Sequence, residues 1–127
     1  MTKFYIASSL SNRKMVSQIS SHLKNQGWHH TYDWTLNAQP TTIEELRTIG
    51  KGEFEAVKAS DIVIAVLPGG KGTHIEIGIA MASSIPVIIY SETPKVFELE
   101  NLSSFYLVEG VTCFTGNQDE LLEFVKR

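Results

Sequence analysis

The sequence predicts an α/β fold: a doubly wound parallel sheet of five strands, with helices on both faces. Three observations carry this. Short, apolar, β-prone runs alternate with helical patterns along all 127 residues. The run DIVIAVLP (61–68) is apolar without alternation, as a strand buried on both faces requires. No repeat, low-complexity tract or linker interrupts the pattern, so residues 1–127 read as a single domain.

The elements follow in order. KFYIAS (3–8) is a first strand. In SNRKMVSQISSHLKNQG, Met15, Ile19 and Leu23 recur every four residues with Val16 beside them, and Gly27 closes that helix. HHTYDW (29–34) reads as a second strand, and TLNAQPTT as a polar loop. Residues 41–60 are helical, with Gly50 and Gly52 leaving one long helix or two short ones open. After the central strand a helix is expected from about Thr73 to Ser84, then a strand PVIIY (86–90). SETPKVFELENLSS is loop with room for one helical turn, FYLVEGVTCF (105–114) a last strand, and NQDELLEFVKR a closing helix with an asparagine start. In open sheets of this kind ligands sit beyond the C-terminal strand ends, where strand order reverses. With the flavodoxin-like or Rossmann-like order 2-1-3-4-5, the loops SSLSNR and PGGKGTHIE face each other across one crevice.

Bulk properties narrow the function. A net charge of −3 supplies no basic field for polymeric nucleic acid. One cysteine, Cys113, excludes an internal disulfide and fits a reducing compartment. No apolar run approaches the ~18 residues of a membrane span, and the N-terminus does not read as a signal peptide. A cytoplasmic protein acting on a small molecule is expected.

The central turn, PGGKGTHIE, draws the chemistry. Gly69, Gly70 and Gly72 permit positive φ and close backbone approach, and amides at a helix start attract anions. The dinucleotide and P-loop spacings are both absent, and a flexible strand-to-helix turn is the other reading. Thr73-x-x-Glu76 has the spacing of a capping box, as do Thr42-x-x-Glu45 and Asn117-x-x-Glu120. Spacing by itself makes Glu76 structural. Its place in the first helical turn after the central strand also suits a reacting group, because the helix dipole there favours the ionised carboxylate. A carboxylate can attack an anomeric carbon and form a glycosyl ester.

GTHIEIGIA resembles the G-T-x-x-E-x-G-x-A signature of the nucleoside 2-deoxyribosyltransferase family. The resemblance extends through KFYIASSL and GEFEAVKASDIVIAVLPGG, and so over most of residues 3–90. It implies that Glu76 is the nucleophile. It implies an acid on the preceding helix, eight positions before Asp61, which is Glu53 where the family usually has aspartate. A second acid common in the transferases, six positions before the nucleophile, falls on Gly70. The related 2′-deoxynucleoside 5′-phosphate N-hydrolases lack that acid and bind phosphate with serine and arginine after the first strand. Ser8, Ser9, Asn12 and Arg13 stand in that loop here. PGGKGTHIE also matches the P-G-G-x-G-T-x-x-E segment of the phosphoribohydrolases once described as lysine decarboxylases, which cleave nucleoside 5′-monophosphates.

The resemblance implies transfer or hydrolysis at an N-glycosidic bond, through a covalent glycosyl-glutamate and without a cofactor. Glu53 would position substrate or protonate the leaving base. Ser8, Ser9, Arg13 and the Gly69–Thr73 backbone would bind sugar or phosphate oxygens. A homodimer or larger homo-oligomer is implied, because the family completes its sites across subunits. The alternative is a non-catalytic Rossmann-like domain that senses a nucleotide derivative. Among other candidates, Asp61 reads as a turn residue, Lys71 as a phosphate contact or a solvated loop lysine, and His74 as pointing off the crevice. His29 and His30 adjoin on a strand and face opposite sides, and His22 lacks a partner at metal spacing, so no metal is expected. Asp33 and Trp34 fall at the crevice edge. Trp34 or Tyr5 could stack on a base, though core positions are the plainer reading for both, as for Tyr32 and Trp28. Cys113 reads as a buried filler.

Overall fold

A computed structural model describes all 127 residues, Met1 to Arg127. Five strands form one sheet: β1 (Lys3–Ser8), β2 (His29–His30), β3 (Ile62–Val66), β4 (Val87–Ser91) and β5 (Val111–Thr115). Their order is β2-β1-β3-β4-β5 and every pairing is parallel. Four helices connect them: α1 (Arg13–Asn25), α2 (Ile43–Lys58), α3 (Lys71–Ala82) and α4 (Gln118–Val125). α1 packs beside α4, and α2 beside α3. This is the doubly wound arrangement that the alternating pattern predicts. No helix is long and apolar enough to cross a membrane.

The sheet centre is apolar because it is covered on both faces. Phe4 to Ala7 of β1, Val63 to Val66 of β3 and Val87 to Tyr90 of β4 are all buried. Burying each large side chain of this kind stabilises by ~1.5–3 kcal/mol. α1 turns Val16, Ile19 and Leu23 onto the sheet, and Gly27 ends it at φ +89, a conformation that suits glycine.

Several elements differ from expectation. β2 is two residues long instead of six. Thr31 still donates its amide to the Phe4 carbonyl, but the next β1 acceptor, Ile6 O, is taken at 2.7 Å by the Trp34 indole. Trp34 lies in a 3-10 turn (Trp34–Leu36), capped by Asp33, whose carboxylate accepts from the Thr35 amide and hydroxyl. α2 runs unbroken through Gly50 and Gly52. The run 105–114 is not one strand. Residues Ser104–Leu107 form a 3-10 turn, Gly110 reverses the chain at φ +93, and only then does β5 begin.

α3 starts at Lys71, two residues earlier than expected. Gly70 is its N-cap and no side chain caps it. Thr73 is therefore the third helical residue and Glu76 the sixth, and the capping box between them does not form. The reciprocal box does form at Asn117 and Glu120, with bonds of 2.9 and 2.8 Å. At α2 the Glu45 amide bonds Thr42 Oγ1, while the Glu45 carboxylate turns to Thr41.

Candidate active site

The C-terminal ends of β1 and β3 are neighbours, with Ser8 opposite Val66. A cavity of about 300 Å³ opens over these ends. Ser8, Ser9, Leu10 and Arg13 line it from the end of β1 and the start of α1, and Gly70, Gly72 and Thr73 from the start of α3. Glu53 of α2 and Glu76 of α3 lie on its floor. Trp34, Asn37 to Pro40, Leu46 and Ile49 complete the lining.

The two carboxyl groups meet through Tyr5. This side chain is fully buried in β1, at 0% exposure. Its hydroxyl lies 2.6 Å from Glu76 Oε2 and 3.1 Å from Glu53 Oε2. A phenol carries one proton. Were both carboxyls ionised, one of these contacts would set two oxygens together with no proton between them. The arrangement therefore accommodates a second proton: one carboxyl donates to the phenol oxygen while the phenol donates to the other. Two acids, a phenol and one extra proton form a coupled unit.

Electrostatics favour the same state. Burial pushes the Glu76 carboxyl up to about 8. The Tyr5 hydrogen bond opposes that shift and the Glu53 charge adds to it. Burial also raises Glu53, against the pull of the Tyr5 bond. Tyr5 stays protonated throughout, because burial and the two neighbouring carboxylates hold its phenol far above its ordinary range. Desolvation thus governs Glu76. As the sixth residue of α3 it lies past the first turn, where the dipole effect fades. Burial, at 9% exposure, works against the ionised form that the helix dipole is expected to favour.

The serine loop is tied to the end of β3. Ser8 Oγ donates to Val66 O at 2.7 Å, and Ser9 Oγ donates to Pro68 O at 3.1 Å. Asn12 Nδ2 donates to Ser8 Oγ at 2.9 Å and to Pro68 O at 3.0 Å. Asn12 thus staples the loop instead of lining the cavity. Arg13, the first residue of α1, is exposed at the rim and makes no internal ion pair.

The glycines act differently from expectation. None of Gly69, Gly70 or Gly72 has positive φ. Gly69 is outside the cavity lining and is required by close packing: a Cβ there would come 2.5 Å from Thr73 Cγ2. Gly70 and Gly72 face open space, and a side chain at either position would enter it. The first amides of α3 have no intrahelical acceptor and stand at the same rim.

These features coincide with a family. The sequence matches the nucleoside 2-deoxyribosyltransferase family over residues 4–118. The chain belongs to that family. Solved structures share the fold. The CMP N-glycosidase BcmB of Clostridium botulinum aligns with a TM-score of 0.70 and 22% identity, over 98% of this chain and 99% of that one. A conserved protein from Enterococcus faecalis V583 aligns with a TM-score of 0.74 and 21% identity, over 99% and 98%. BlsM aligns with a TM-score of 0.61 and 20% identity, over 98% and 85%. No curated protein matched the sequence.

Within this 2-deoxyribosyltransferase fold, the remaining candidates other than Trp34 lie apart from the cavity. Asp61 sits at the opposite end of β3 and accepts from the Lys3 amide at 2.8 Å. Lys71 is exposed and outside the lining. His74 turns away, its Nε2 2.7 Å from the Tyr106 hydroxyl. Cys113 is half-buried, with Sγ against Tyr106 O. Trp34 lines the cavity while its indole is held by β1, so it is both wall and core. No group of three His, Cys, Asp or Glu side chains is gathered to hold a metal. Tyr5 is the residue that sequence reasoning undervalued. An aromatic residue inside an apolar strand gives no sign that its hydroxyl reaches two distant acids.

Proposed function

We propose that the protein breaks the N-glycosidic bond of a nucleoside 5′-phosphate through a covalent glycosyl-Glu76 intermediate. The observation that carries this is the Tyr5 hydroxyl shared by Glu53 and Glu76 on the cavity floor. Of the two ways to hold one proton between the acids, one supplies an ionised Glu76 and a protonated Glu53. In that state Glu76 attacks C1′ while the C1′–N bond breaks. The electron pair leaves with the base nitrogen, and Glu53 delivers its proton to the base. The Tyr5 hydrogen bond steadies the Glu76 carboxylate until attack. Water then attacks C1′ and gives a proton to Glu53, and the ester electrons return to Glu76. The products are free base and sugar phosphate, and both acids end as they began.

Two features favour hydrolysis of a phosphorylated substrate over transfer between free nucleosides. Gly70 stands where the transferases commonly carry a further acid, and it leaves open space. Arg13 and the first α3 amides supply positive charge and free donors to the cavity that Ser9, Gly70 and Gly72 also line. A homo-oligomer belongs to the same proposal. The outer face of α3 leaves Ile75 64% exposed beside Phe105 at 65%, an apolar surface that a second copy would cover. Light scattering at micromolar concentration tests for the dimer.

The chemistry is tested with deoxynucleosides and with nucleoside and deoxynucleoside 5′-monophosphates, each with and without an acceptor base. Base release from the monophosphates, independent of acceptor, is expected, and Glu76→Ala should abolish it. Wild-type rates in that variant would refute the assignment of Glu76. Saturable binding with no turnover over hours would point to the sensor alternative.

A further inference from the structure

His74 lies outside the cavity lining, yet both of its ring nitrogens are engaged. Nδ1 is 2.9 Å from the Gly70 carbonyl oxygen, and Nε2 is 2.7 Å from the Tyr106 hydroxyl. A carbonyl oxygen only accepts, so Nδ1 carries the proton. In the neutral ring Nε2 is then the acceptor, and Tyr106 donates to it. Tyr106 is buried, and the Phe97 ring meets it edge-on at 6.4 Å. The imidazole thus spans from an anchored tyrosine in the Ser104–Leu107 turn to the carbonyl that opens α3.

That carbonyl belongs to a glycine that lines the cavity. The His74 amide bonds it as well, at 3.3 Å. The Gly70–Lys71 peptide is trans, so its N–H points opposite to its C=O. A carbonyl fixed along α3 therefore aims the Lys71 amide out of the helix start. A serine or aspartate at an N-cap would accept from the second or third helical amide. Gly70 has no side chain to do so, and the Lys71, Gly72 and Thr73 amides stay free. Thr73 gives a second, independent sign of a ligand. It is 3% exposed, it lines the cavity, and its hydroxyl bonds nothing within the protein. With glycine at the N-cap and again at the second helical position, this backbone has little restraint of its own. His74 supplies restraint from the carbonyl side, where it uses none of the donors.

We propose that His74 is a positioning residue for the phosphate of the substrate: acting through Gly70, it holds the first α3 amides towards an anion in the cavity, beside the Thr73 hydroxyl. Tyr106 is the anchor from which it acts. The inference rests on the reading of the cavity as a site for a nucleoside 5′-phosphate, though not on the identity of the nucleophile.

The test is binding, measured by titration calorimetry. Inorganic phosphate is titrated into the wild-type protein. Cytidine and adenosine, each with its 5′-monophosphate, are titrated into a Glu76→Ala background that cannot turn them over. His74→Phe removes both ring bonds while keeping a ring beside Tyr106. It should weaken inorganic phosphate and the monophosphates by roughly three- to tenfold and leave the nucleosides unmoved. Tyr106→Phe frees Nε2 and keeps the Gly70 bond, so its effect should be smaller and in the same direction. His74→Gln keeps a side-chain donor for the Gly70 carbonyl and should restore most of the affinity for phosphate. Wild-type phosphate affinity in His74→Phe would overturn the proposal. So would equal weakening of nucleoside and monophosphate, which is the mark of a merely structural role, or no phosphate binding by the wild type. Where His74→Phe fails to fold, Tyr106→Phe decides, and an unchanged phosphate affinity there overturns the proposal. If phosphate binding responds as expected but the wild-type protein releases no base, the proposed chemistry fails and the role of His74 stands. If base is released from monophosphates but His74→Phe leaves phosphate binding unmoved, the role of His74 alone fails.

Discussion

Replacing Glu76 with glutamine is expected to stabilise the protein at neutral pH while removing its activity. In the unfolded chain this carboxyl ionises near 4.5, whereas burial holds it to about 8 in the folded state. Between those values the unfolded state has released a proton that the folded state still keeps. Stability is therefore full below pH 4.5 and falls as pH rises through the window towards 8. Each tenfold difference in proton affinity is worth ~1.4 kcal/mol. At pH 7 the wild-type protein thus carries a cost of ~3 kcal/mol, or ~2 kcal/mol where water entering the open cavity eases the burial. Glutamine has the same shape, keeps an oxygen to accept the Tyr5 hydroxyl, and has no such proton to lose. Its amide carries a fixed cost that does not vary with pH, so the pH dependence of the difference holds the prediction. The assay is urea unfolding of both proteins at pH 4.5 and pH 7.5. The variant should gain ~2–3 kcal/mol relative to wild type between the two conditions, with melting raised by roughly 10 °C at the higher pH. A difference independent of pH, or a relative loss at pH 7.5, would refute the reasoning.

Other predictions follow from the same structure. Tyr5→Phe removes the bridge between the acids, so base release should fall ~100-fold; the bell-shaped pH–rate profile expected of wild type, with its alkaline limb near 8, should also be altered. A variant within a few-fold of wild type and with an unchanged profile would remove Tyr5 from the mechanism. His30 stacks on Phe4 at 4.6 Å, and neither ring nitrogen has a partner. Burial lowers its pKa from 6.5 to about 4; Asp33 acts against that shift, while Lys24 and His29 add to it. Stability should therefore be lost as pH falls from 6.5 towards 4, by ~1–2 kcal/mol after solvent screening. His30→Phe should flatten this acid limb in unfolding measurements, and an unchanged limb would locate the acid sensitivity elsewhere. Asn117→Ala should cost ~1 kcal/mol of unfolding free energy, because its capping box forms. Thr73→Val should cost less than ~0.5 kcal/mol, and a loss as large as that of Asn117→Ala would restore Thr73 as a cap.

Much of the fold could be read from local pattern. The unbroken apolar runs of β1, β3 and β4 reported burial on both faces, and the four-residue spacing of Ile19 and Leu23 with Gly27 beyond them marked α1 and its end. The chemistry was partly legible too. The segment Gly72 to Ala80 pointed to Glu76, and a count from Asp61 pointed to Glu53, and both lie on the cavity floor. What escaped had non-local causes. β2 stops early because an indole four residues beyond it takes a β1 carbonyl. α2 crosses two glycines, one of which makes room for the Tyr32 ring.

The Tyr5 site draws the boundary most clearly. Sequence determined the residue types and the alternation of buried strands with helices, because strand burial and helix periodicity are written in nearest neighbours, while the order that brings the ends of β1 and β3 together came from the structure. Only tertiary structure decided that a phenol in β1 meets acids 48 and 71 residues further along the chain. It also decided that Glu76 is buried, which raises its carboxyl against the expected pull of the helix dipole. Both outcomes depend on how two helices pack over one strand, and desolvation exists only once that packing has excluded water.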